Sequence, residues 1–75
     1  MLFLIEYDRP QGQLVSIEQF TDSQEAEGAR LDLELKLNRS GIAREVVLLE
    51  ATTEQALRRT HRRYFENLSE LAKAS

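Results

Sequence analysis

The segment LFLIEY, residues 2–7, puts apolar side chains on both faces of an extended strand: Phe3, Ile5 and Tyr7 on one, Leu2 and Leu4 on the other. Successive strand residues point to opposite faces, so such a strand needs cover from two sides. REVVLLEA, residues 44–51, repeats the demand, with Val46 and Leu48 on one face and Val47, Leu49 and Ala51 on the other. The chain has only 75 residues with which to meet it. A domain of about this length buries only ~60% of its unfolded surface, and small domains usually add disulfides, a metal or a partner subunit. There is no cysteine and a single histidine. That excludes disulfides and thiolate zinc sites and leaves oligomerisation as the remaining staple.

Between these strands the chain reads as regular structure in one domain, residues 1–75, since only one proline and three glycines interrupt it. Asp8-Arg9-Pro10-Gln11-Gly12 supplies hairpin turn chemistry: Pro10 presets φ and Gly12 can take a positive φ. QLVSIEQF, residues 13–20, is more polar and reads as an edge strand. Thr21 and Gln24 form a capping box, predicting a helix over residues 22–39 with Gly41 just past its end, where a left-handed residue is common. Leu31, Leu33, Leu35 and Leu37 alternate with Asp32, Glu34 and Lys36, which is a strand signature. Helix is preferred here because none of these residues is β-branched and the cap precedes them. Ala26, Ala29, Leu33 and Leu37 then form the buried stripe, and Leu31 and Leu35 project from the opposite side. Thr52 and Gln55 repeat the capping box and predict a second helix over residues 53–72.

The predicted order is ββαβα, an α+β class domain. The most economical sheet is antiparallel and three-stranded, order 2-1-3, with both helices packed on one face and the most apolar strand in the centre. The order resembles a ferredoxin-like unit lacking its last strand, a likeness that carries no function with it. Two helices on one face leave the other face bare. Leu2, Leu4, Val47 and Leu49, or their alternates if the faces are reversed, are then expected to be open to water, with Leu31 and Leu35 as a second apolar surface, and a symmetric dimer is the commonest closure.

LRRTHRRYF, residues 57–65, gathers four arginines in a chain of net charge −3. On a continuous helix, Leu57, Thr60, His61, Tyr64, Leu68, Leu71 and Ala72 share the core stripe, with Phe65 at its margin. Arg58, Arg59, Arg62 and Arg63 take the outer side with Glu66, Glu70 and Lys73. The four arginines are a candidate anion-binding or partner-binding face, and a nucleic-acid-binding regulator is the alternative function. A solvated face is preferred. Glu54 stands four residues before Arg58 in the favourable orientation, acids interrupt the run, the chain as a whole is acidic, and no nucleic-acid-binding motif accompanies the cluster.

Catalysis finds little footing. The glycines are isolated, so no phosphate loop is present. No serine has nucleophile context, and His61 lacks the second ligand a metal would need. Glu6 interrupts an apolar strand. It is expected to be exposed at the sheet end, and would need an arginine if that face were buried. No run reaches the ~20 apolar residues of a membrane span, and MLFLIEYD lacks the basic region of a signal peptide. The expectation is a cytoplasmic, non-enzymatic module without cofactor or metal. It self-associates as a homodimer through an apolar sheet or helix face and serves protein–protein interaction.

Overall fold

A computed structural model describes residues 1–65. The elements are β1 (Leu2–Asp8), β2 (Gln13–Phe20), α1 (Ser23–Ser40), β3 (Glu45–Glu50) and α2 (Glu54–Thr60), followed by a 3₁₀ turn at Arg62–Tyr64. The sheet is antiparallel with order β2-β1-β3, as the sequence predicts, and the class is α+β.

The hairpin turn is built by the residues that suggest it. Gly12 takes φ 64, its N–H donates to the Arg9 carbonyl, and the Gln11 N–H donates to the Asp8 carboxylate. The β1–β2 ladder shifts between Glu6 and Tyr7, where the partners are Ser16 and Leu14 and Val15 is the extra residue. The β1–β3 register runs without a break from Leu2 opposite Glu50 to Tyr7 opposite Glu45.

α1 spans the alternating leucines, so the helical reading of that stretch holds. Its cap is Asp22, one residue beyond the expected Thr21, with the carboxylate accepting from the Gln24 N–H. The far end is a Schellman closure. Gly41 sits at φ 68, its N–H donates to Asn38, and the Ile42 N–H donates to Leu37. Ala26 and Leu37 are buried, and Ala29 and Leu33 half-buried, as the stripe requires.

The helices do not share a face. Phe3, Ile5 and Tyr7 pack with Leu57 and Tyr64, joined by Val47 and Leu49, so α2 and the 3₁₀ turn cover this side. Leu4 and Glu6 point the other way and are also buried. α1 packs there, over β1 and β3 more than over β2, with Leu37 beside Arg44 and Val46. The physical reason is the two-sided apolar character of β1 and β3. One helix on each side buries both faces, whereas two on one side would leave Leu4 in water. The register also separates residues the sequence reading had grouped: Leu4 lies opposite Leu48, not on the side of Val47 and Leu49.

α2 is shorter than predicted. Thr53, not Thr52, is the cap, accepting from the Ala56 N–H at 3.0 Å. The helix ends at Thr60, whose hydroxyl donates back to the Ala56 and Leu57 carbonyls. Such bonds compete with helix continuation, and the residue that follows, His61, is a weak helix former. His61 leaves the helical region (φ −125, ψ 52) before the 3₁₀ turn begins. The predicted continuation through Leu68, Leu71 and Ala72, with Glu66, Glu70 and Lys73, lies outside the described residues.

Leu57 is the only α2 residue fully enclosed by the Phe3–Ile5–Tyr7 face. Leu57→Ala removes its packing and leaves a cavity, a loss of ~2–5 kcal/mol in cores. Urea unfolding should show a lowered midpoint with an unchanged slope.

Candidate functional site

Several charged groups meet at one end of the sheet. Glu45 opens β3 and lies directly opposite Tyr7, so it faces the α2 side. Its Oε2 accepts hydrogen bonds from Arg63 Nη2 at 2.6 Å and from the Tyr64 hydroxyl. Arg63 Nη2 also donates to the Tyr64 oxygen at 2.7 Å, and its guanidinium lies 4.4 Å from the Tyr64 ring centre. The Tyr64 ring meets Tyr7 edge-on at 5.2 Å. Glu45 Oε1 is buried and accepts no hydrogen bond among the described residues. It relies on the exposed Arg9, whose Nε stands 3.6 Å away.

The opposite face of the same end carries a second knot. Glu6, 9% exposed, receives Arg44 Nη1 at 2.5 Å, and Arg44 Nε stands 3.9 Å from Asp8. Glu6 is therefore buried rather than exposed, and the arginine that burial demands is Arg44. A groove of about 340 Å³ runs between the knots, lined by Arg9, Pro10, Ala43, Arg44 and Glu45. Arg44 serves both Glu6 and Asp8, and Glu45 takes both Arg9 and Arg63, so three acids face three guanidiniums. Paired carboxylates of this kind anchor strand ends and are poorly placed to act as free bases. His61 is half-buried, 6.5 Å from the Tyr64 ring. No group of residues that could hold a metal occurs among the described residues.

The four arginines do not form one helical face, because the break at His61 divides them. Arg58 and Arg59 stand on α2, and Arg62 and Arg63 on the 3₁₀ turn. Arg58 Nε lies 3.5 Å from Glu54, the predicted partner, and its guanidinium covers the Phe65 ring at 4.5 Å. Arg63 is turned to Glu45. Arg59 and Arg62 are exposed.

The apolar candidates also separate. Leu4 is 4% exposed and Leu2 half-buried, while Val47 and Leu49 pack against the core under α2. Among the described residues β1 is thus buried on both faces and the apolar residues of β3 are half-buried, so the expected bare face is not found. Leu31 and Leu35 remain open, at 56% and 45% exposure. Grooves flank them on both sides. One, about 400 Å³, includes Asp32, Leu35 and Arg39. The other, about 430 Å³, runs from Glu34 and Asn38 to Ile42, Arg44 and Val46.

No protein-family model, curated protein or solved structure matches the chain.

Sequence reasoning passed over Arg9, Arg44 and the pairing of Glu45 with Arg63. The available signal was the register, which sets Glu45 against Tyr7 once β1 and β3 are paired. Tyr64 shows the electrostatic consequence. Burial first, and then donation to Glu45, push its hydroxyl above the usual tyrosine range, while Arg63 pulls the other way. The unfolded chain ionises this tyrosine near pH ~10; the folded chain holds the proton to higher pH. Stability is therefore fully present below that value and lost as pH rises through the folded range. In urea midpoints measured against pH, Tyr64→Phe should decline less above pH ~10 than the unsubstituted protein. Equal declines would show that Tyr64 carries no such linkage.

Proposed function

We propose that this chain is a small, non-enzymatic protein-interaction module that self-associates as a homodimer, using the outer face of α1. The observation that carries the reading is the exposure of Leu31 and Leu35, one helical turn apart, in a fold that covers both faces of its sheet. A domain this small has little apolar surface to spare. Large apolar side chains that stay together on one helix face mark a contact surface. The matched acids and arginines at the sheet end support a structural role for that region. Arg58 and Arg63 already hold carboxylate partners, which weakens the case for a phosphate-binding face. Within this reading the chain works in the cytoplasm without cofactor or membrane partner; no helix among the described residues is long and apolar enough to cross a membrane.

The magnitudes bear on how tight such a dimer is. Fully burying one leucine contributes ~1.5–3 kcal/mol, and association costs an estimated ~4–15 kcal/mol. Four partly exposed leucines from two copies offset only part of that cost. The contact is weak unless further surface joins it.

Light scattering across the micromolar range, at low and physiological salt, tests the reading. A salt-tolerant dimer is expected, and the Leu31→Glu/Leu35→Glu variant should weaken it by about tenfold or more with little change in folding stability, as surface substitutions usually allow. A strict monomer at high micromolar concentration would sink the proposal. So would salt-sensitive binding of mixed-sequence DNA or RNA that vanishes when Arg58, Arg59, Arg62 and Arg63 become alanine, since that would make the arginine segment the functional face.

A further inference from the structure

The two edges of the sheet are built differently. β2 carries the devices that keep a strand from pairing outward: a bulge at Val15 and a polar run with Ser16, Glu18 and Gln19. β3 has none of them between its terminal acids. Val46, Val47, Leu48 and Leu49 are four consecutive apolar residues, each half-buried, in unbroken register with β1. No further strand of the described residues pairs with the outer side of β3. Its outward N–H and C=O groups form a regular row flanked by apolar side chains, the arrangement that accepts another strand.

We infer that the outer edge of β3 pairs antiparallel with β3 of a second copy of this chain, giving a continuous six-stranded sheet. This rests on the self-association reading and names the place where the copies join. The register follows from the faces. A two-fold axis normal to the sheet keeps each face on its own side, so opposed residues must come from the same face. Centring the axis on Val47 sets Val46 opposite the partner's Leu48. It also sets Arg44 of each copy opposite the partner's Glu50, an exposed acid; Arg44 already holds Glu6, so the partner's acid extends an existing charge cluster at each end of the junction. Either register sets one acid against an apolar residue, Glu45 against the partner's Leu49 here and Glu50 against the partner's Val46 if the axis is centred on Leu48; only the Val47 register also sets Arg44 against Glu50.

The same operation joins the edge to the exposed leucines. α1 lies over β1 and β3, and strands are spaced by about 4.8 Å. The two α1 helices therefore stand roughly 10 Å apart on one face, near an ordinary helix-packing distance. The flank of α1 bordering β3 carries Glu34 and Asn38. Leu31 precedes them by three and seven residues, which puts it on the same stripe. Ile42, 46% exposed, lines the groove between that flank and β3. Strand pairing thus closes this groove and adds backbone hydrogen bonds to the contact at Leu31 and Ile42; Leu35 lines the other groove, with Asp32 and Arg39, and stays at the margin of this contact.

Amide hydrogen exchange on the unsubstituted protein tests the inference. From low to high micromolar concentration, the β3 amides that point away from β1 should slow by about tenfold or more, while the outer amides of β2 keep their rates. In a half-isotope-labelled sample, Val46 should show intermolecular contacts to the partner's Leu48. A dimer whose β3 amides exchange as they do in the monomer would overturn the edge pairing and leave self-association standing. A monomer at every concentration would overturn both.

Discussion

The burial of β1 from both sides is the constraint on which the structure depends. Phe3 and Ile5 are enclosed by α2 and the 3₁₀ turn, and Leu4 by α1. A central strand apolar on consecutive positions cannot be satisfied by one layer of helix. The chain therefore divides its helices, and among the described residues α1 stands alone on its side of the sheet while α2 shares the other with the 3₁₀ turn. α1 consequently keeps one face open to water, and that is where Leu31 and Leu35 lie. The apolar surplus evident in the sequence moves from the sheet to the helix.

The charged end of the sheet is the second consequence of that layering. Burying β1 on both faces carries Glu6 inward with it, and the charge is tolerable because Arg44 reaches it. Across the sheet, Glu45 gathers Arg63 and Tyr64, which fastens the segment after α2 to the start of β3. Four arginines in a short acidic chain suggest a polyanion partner when read as a string. In space, Arg58 and Arg63 each answer a carboxylate of the same chain, and the helix break places the two pairs of arginines on separate elements.

Local signals in the sequence were read well where the backbone alone supplies the physics. Gly12 and Gly41 take the positive φ that their positions call for. The leucine alternation of residues 31–37 is overruled by capping and propensity, as argued from residue type. Caps were placed one residue early at both helices, because adjacent hydroxyl and carboxylate residues compete for the same role and only the final φ/ψ selects Asp22 over Thr21 and Thr53 over Thr52. The stripe through residues 57–72 suggests a longer α2 than the one that forms, because periodicity does not show that the Thr60 hydroxyl bonds back to its own helix where α2 ends.

By itself the sequence determined the α+β class, the strand order, the turns and the stripe of α1, because each follows from periodicity, turn chemistry or a local hydrogen bond. The tertiary structure decided which sheet face each helix covers, which side chains remain exposed, and which acid each arginine meets. Those outcomes turn on long-range register and burial, as in Glu45 meeting Tyr64 and Arg63 only once β3 is aligned with β1. Alternation along a strand states that both faces are apolar; it cannot state which helix comes to which.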